Sequence, residues 1–141
     1  MTIAIEELDT NKRRDVNRFI DISFRIYADC PQWVPPLVDD LKLQMDRRRY
    51  PYYEHSDAAF FIARRNGTDV ARIAVLDNRH YNERWQSQTA FFNLFESQDD
   101  PEAAVALFGA IEEWARSRGL AKVVGAKGFL QGDGIGVLVD G

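Results

Sequence analysis

Along the chain the spacing of apolar residues changes period several times, and each change marks an element. Ile3 and Ile5 alternate with polar neighbours and predict a short strand over residues 2–8, with Leu8 out of phase. Thr10 or Asn11 then offers a helix N-cap, and Val16, Phe19, Ile20, Ile22, Phe24, Ile26 and Tyr27 give the following segment a wide apolar face. The run Asp29-Cys30-Pro31-Gln32-Trp33-Val34-Pro35-Pro36 reads as a rigid connector. Each proline fixes its own φ and drives the residue before it toward extended geometry. A second helix is expected from near Pro36, with Leu37, Val38, Leu41 and Met45 on one side, fading into Asp46-Arg47-Arg48-Arg49.

Two apolar runs, AAFFIARR and DVARIAVL, flank Asn66-Gly67-Thr68. Asn-Gly supplies the positive φ angles of a tight hairpin, so two adjacent antiparallel strands are predicted between Ala58 and Leu76. Residues 77–88 are polar and read as a surface loop or a short irregular helix. The stretch from Thr89 to Ala121 carries the strongest organisation. Ala90 to Phe95 has the density of a strand buried on both faces. Asp100 stands at a helix N-cap with Pro101 at the first helical position, and Ala104, Leu107, Phe108, Ile111, Trp114 and Ala115 then recur at helical spacing until Gly119. Ala121 to Phe129 supplies a further strand. The order of elements implies an α+β (mixed α/β) domain over residues 1–141, with antiparallel strands first and a strand-helix-strand crossover whose two strands run parallel.

Composition narrows the function classes. The chain has 141 residues, 45% of them apolar and 28% charged, which suits one soluble domain and no membrane span. Membranes are accordingly not among the expected partners. MTIAIEELD has neither a basic region nor an apolar signal core, and the one cysteine, Cys30, excludes an internal disulfide; both favour a cytoplasmic location. A net charge of −4 argues against nucleic acid as the main partner. The sequence Arg47-Arg48-Arg49 beside Tyr50, Tyr52 and Tyr53 has the charge and rings to stack a nucleotide or RNA, but reads better as a solvated helix end with tyrosines lying over the core. Six of the nine glycines fall between Gly125 and Gly141. Gly132-Asp133-Gly134-Ile135-Gly136 lacks the helix a dinucleotide turn must open, and Val137-Leu138-Val139 needs a strand neighbour, so the domain is expected to be incomplete at its C-terminus.

Candidate acids and bases are few. His55 and His80 are the only histidines and have no cysteine at metal-ligand spacing, so no metal site is expected. His80, directly after a strand end, is the better base of the two.

Three stretches resemble the GCN5-related N-acetyltransferase (GNAT) superfamily, in particular bacterial GNAT-like proteins: Pro31-Gln32-Trp33-Val34-Pro35-Pro36-Leu37, Tyr52-Tyr53-Glu54-His55 and Asp99-Asp100-Pro101-Glu102. The resemblance implies acyl-CoA-dependent N-acyltransfer, with acetyl-CoA or another acyl-CoA as donor and a small-molecule amine or a peptide as acceptor. It places Leu94, Phe95 and Glu96 along the pantetheine arm. The superfamily's pyrophosphate loop, Gln/Arg-x-x-Gly-x-Gly/Ala, falls on Gln98, Pro101 and Ala103. Gln98 and Ala103 match, while Pro101 replaces the first glycine and has no amide hydrogen to donate. Asp99, Asp100 and Glu102 put negative charge where the pyrophosphate brings its own, each like-charge pair costing about 3 kcal/mol at about 5 Å in an effective dielectric of about 20. Glu54, His80 and Glu96 are the candidate bases and Tyr81 the candidate acid. An acyltransferase completed by a missing C-terminal half, a GNAT-shaped binding or homodimerisation module without CoA, and an RNA-binding protein all remain open on the sequence.

Overall fold

A computed structural model describes residues 2–130 and Gly136. The elements run β1 (Ile3–Glu7), α1 (Arg13–Ile26), α2 (Val38–Met45), a 3-10 turn (Pro51–Glu54), β2 (Asp57–Arg65), β3 (Thr68–Asp77), α3 (Arg79–Trp85), β4 (Thr89–Ser97), α4 (Pro101–Ser117) and β5 (Lys122–Gly125). The sheet order is β1-β2-β3-β4-β5, antiparallel as far as β4 and parallel between β4 and β5. This is the expected α+β sheet with its closing crossover. The segments Gly132–Ile135 and Val137–Val139, singled out in the sequence, lie outside the described residues.

Burial explains why the middle of the sequence reads as unbroken apolar runs. Even-numbered residues of β2 and β3, among them Phe60, Ile62, Ala74 and Leu76, pack against α1, α2 and the 3-10 turn. Odd-numbered ones, among them Phe61, Ile73 and Val75, pack against Leu107, Ile111 and Ala115 of α4. A sheet covered on both faces needs apolar side chains at both phases of the strand period. The hairpin turn is as expected, with Asn66 and Gly67 at φ 53° and 77°.

Two local expectations change. Neither Thr10 nor Asn11 caps α1, whose N-cap residue is Lys12. The Asp15 carboxylate instead accepts the Asp9 N–H, and Thr10 Oγ1 accepts from Arg47 Nε. Leu37 does not join the inner side of α2: it precedes the helix and is 72% exposed, while Leu41 and Met45 are buried.

One irregularity in β4 positions the site. Arg72 pairs with Glu96 and Ala74 with Asn93, so one residue of β3 spans two of β4. Leu94 takes up the extra residue at φ 57°, a left-handed conformation costing a non-glycine residue roughly 1 kcal/mol. The bulge resets the side-chain alternation. Phe91 and Leu94, three apart, both face α1, whereas Phe92 and Phe95 both face α4. In a regular strand Glu96 would share the face of Phe92. The bulge turns it toward α1.

Candidate functional site

Glu96 meets two side chains on that face. The Tyr27 hydroxyl, at the C-cap of α1, donates to Glu96 Oε2 at 2.5 Å. Burial first, and the Glu96 bond second, push the phenol up to about 12, so it keeps its proton throughout the neutral range. Trp33 of the proline-rich connector stacks on Tyr27 at 5.0 Å between ring centroids, and Phe24 meets Trp33 edge-on at 5.2 Å. The connector's rigidity thus serves to hold the ring that holds Glu96.

Arg72 lies directly across the ladder from Glu96 and is 3% exposed. Its Nε donates to the Leu94 carbonyl at 3.1 Å and its Nη1 to the Phe19 carbonyl at 2.9 Å, with the guanidinium 4.8 Å from the centre of the Phe19 ring. Burial pulls it down to about 10, partly opposed by Glu96, which leaves it charged at neutral pH. One buried cation therefore ties the bulge to α1 and supplies positive potential beside the Glu96 carboxylate.

The turn after β4 is occupied from within. Arg65 donates to both carboxylate oxygens of Asp100, at 2.8 and 3.1 Å, and to Glu102 Oε1 at 3.0 Å. Two of the three acids expected to repel a pyrophosphate are thereby paired with a cation; Asp99 is exposed. Asp100 is the N-cap as predicted, its Oδ1 accepting the Ala103 N–H at 3.1 Å. Ala103 is fully buried, and Gln98 donates its backbone N–H to the Val70 carbonyl while its residue lies exposed.

The bond from Arg65 chiefly holds the Asp100 carboxyl below its ordinary value of 3.8, and that from Arg18 holds Glu6 below 4.5. A carboxyl depressed by folding stabilises the native state above its unfolded pKa and loses that contribution as pH falls through its folded one. Melting temperature is therefore expected to hold from neutral pH to about pH 5 and decline below about pH 4. Asp100→Asn should start lower and decline less steeply over the acid range in a calorimetric pH series. An unchanged slope would detach Asp100 from it.

The remaining candidates form a second group. His55 and His80 stack with centroids 3.5 Å apart, and His55 Nδ1 lies 2.5 Å from Ser56 Oγ. Burial, then His80, lowers the basicity of His55. The Tyr81 ring packs edge-on against Phe91 at 4.8 Å beneath the Lys127 ammonium. Glu54 ends the 3-10 turn and is exposed. Phe91 pairs with Leu76 and Glu96 with Arg72, so about 15 Å of strand separates this group from Glu96. The structure brings Glu54, His80 and Tyr81 to one end of the sheet and joins Leu94, Phe95, Glu96 and Gln98 at the other end of β4. Tyr27, Arg72 and Arg65 were missed as site residues. For Arg72 the signal was present: an arginine inside DVARIAVL must find partners if the strand is buried.

No family model matches the chain. It is 30% identical over 129 residues to protein YghO of Escherichia coli (strain K12), covering 92% of this chain and 33% of that protein. It is likewise 30% identical over 128 residues to a bacterial ceramide synthase of Caulobacter vibrioides, covering 90% of this chain and 33% of the synthase. The chain thus spans about a third of the length of these curated relatives. Among solved structures, a tandem GNAT protein from the clavulanic acid biosynthesis pathway superposes with TM-score 0.63 at 17% identity, over 83% of this chain and 34% of that one. A predicted acetyltransferase from Clostridium acetobutylicum, solved with acetyl-CoA, superposes with TM-score 0.60 at 13% identity, over 89% and 81%. With a mixed five-stranded sheet and four helices among the described residues, the chain has the fold of the GNAT superfamily.

Proposed function

We propose that the protein transfers an acyl group from an acyl-CoA to a primary amine, with Glu96 as the general base. The observation that carries this reading is the placement of Glu96: a β-bulge aims it at α1, Tyr27 fixes one oxygen, and Arg72 sits across the strand. The donor supplies an activated thioester. Glu96 takes the proton that the amine nitrogen loses as it attacks the thioester carbonyl; the C–S bond breaks, the sulfur leaves and picks up a proton from solvent as the free thiol, and Tyr27 orients the carboxylate. The backbone of Leu94, Phe95 and Glu96 is assigned to the donor's pantetheine arm, and Gln98 and Ala103 to its phosphate end. Glu54, His80 and Tyr81 stand in reserve as acid-base groups about 15 Å away along the strand. The acceptor is assigned an apolar body, a reading supported by the exposure of Val34 and Leu37, 84% and 72%, in the connector that carries Trp33. Similarity to a protein named for ceramide synthesis supports N-acylation of such an amine. We assign the chain to one GNAT-fold unit whose site a further unit completes, a reading supported by its covering 34% of a tandem GNAT protein. The place of action is taken to be the cytoplasm; no helix among the described residues is long and apolar enough to cross a membrane.

A second reading, a GNAT-shaped binding or dimerisation module without CoA, is favoured by the α4 turn. Pro101 has no N–H, and Asp100 already occupies that of Ala103, leaving a pyrophosphate fewer free amides than a helix N-terminus ordinarily offers. Titration calorimetry with acetyl-CoA separates the two. Saturable binding is expected; no heat at millimolar ligand, together with a concentration-dependent dimer in sedimentation, would establish the module instead.

A further inference from the structure

On the face of the sheet opposite α4, the start of α1 and the end of α2 border an open cavity of about 420 Å³ lined by Thr10, Asn11, Asn17, Arg13, Lys42, Asp46 and Arg48, with Val16 and Met45 also in its lining. Lys12, Arg14 and Arg49 stand beside these cations in sequence, and all six basic residues are exposed. None of the six makes an ion pair or a side-chain hydrogen bond among the described residues. This contrasts with Arg18, Arg47, Arg64, Arg65 and Arg118, each of which is paired with a carboxylate. The one acid lining the cavity, Asp46, accepts the Arg48 backbone N–H. Three exposed cations, Arg13, Lys42 and Arg48, line this concavity without a carboxylate partner among the described residues, in a chain of net charge −4, and their mutual repulsion is a cost that an anion would remove.

We propose that this cavity binds a phosphate group, with Arg13, Lys42 and Arg48 as its charged donors and Thr10, Asn11 and Asn17 as neutral hydrogen-bonding neighbours. Guanidinium pairs match phosphate oxygens in geometry and charge. The volume admits a phosphate ester rather than the free ion alone. A nucleic-acid strand fits less well, since the aromatic and basic partners such binding uses are committed: Tyr52 is fully buried, the Tyr53 hydroxyl donates to the Gln44 carbonyl, and Arg47 is held by Thr10 and Asp57. The site lies across the sheet from the α4 turn and is independent of the acyl-transfer reading.

The test is titration with inorganic pyrophosphate and with glycerol phosphate, followed by amide NMR shifts, alongside sedimentation with phosphatidylcholine vesicles with and without 30% phosphatidylglycerol in about 100 mM salt. Saturable shifts at Thr10, Asn11 and Arg48 are expected, weakened at least ten-fold in Arg13→Gln/Arg48→Gln with the remaining spectrum unchanged. Binding to the anionic vesicles alone would identify a lipid headgroup as the source, and binding to the soluble esters alone a free metabolite. A single-site Lys42→Gln variant should weaken binding several-fold and guards against misfolding of the double variant. Absence of saturable shifts and of vesicle binding, or equal binding by the variants, would overturn the proposal.

Discussion

Arg72→Met is expected to destabilise the protein by about 3 kcal/mol, read as a fall of roughly 10 °C in melting temperature. Methionine retains the length of the side chain and removes its donors. The Leu94 and Phe19 carbonyls would each lose a hydrogen bond from Arg72, at 3.1 and 2.9 Å, inside a region where water does not replace it. Leaving a buried acceptor unpaired costs about 1–3 kcal/mol each, more than the hydrogen bond itself contributes on balance. Against this, the variant removes a buried guanidinium whose desolvation opposes folding, as its lowered pKa shows. The two lost bonds outweigh that relief because they also hold Leu94 in its left-handed conformation. Thermal denaturation checks the magnitude. A loss below about 1 kcal/mol would mean that the bulge holds without Arg72.

The same residue shows what the sequence carried and what it did not. Strand and helix periods, the Asn66-Gly67 turn and the Asp100-Pro101 cap are local signals, each set by a few neighbouring residues, and they placed all five strands and α4. Glu96 was legible as a candidate only through the resemblance, and its partners were not. Tyr27 counted as one more apolar position on α1, because nothing local reveals that its hydroxyl reaches β4, 69 residues later. The bulge at Leu94 was invisible for a similar reason. The positive φ falls on Leu94 rather than on the adjacent Asn93, since Arg72, a long-range partner, supplies the stabilisation that a permissive residue would otherwise provide. The acidic turn was legible in its residues and its cap, but not in its partner: Arg65, at the end of β2, pairs with Asp100 and Glu102 through a long-range contact no local signal announces.

Glu96→Gln is expected to lower acyl transfer at saturating substrates by about 10²–10⁴-fold, beyond whatever fall in melting temperature follows from the buried Arg72 losing its facing anion. Glutamine keeps the shape and can still accept the Tyr27 hydroxyl hydrogen through its amide oxygen, so the aromatic stack on Trp33 is preserved. It cannot accept a proton at neutral pH. The defect should therefore appear in the rate at saturation and not in acetyl-CoA affinity, which in this reading rests on the strand backbone. Tyr27→Phe separates orientation from proton transfer. It leaves the carboxylate in place without its 2.5 Å donor, and a smaller loss, about ten-fold, is expected together with a shift in the pH-rate profile. If Glu96→Gln retains full activity while His80→Ala or Tyr81→Phe abolishes it, the base belongs to the group at the other end of the sheet, about 15 Å away.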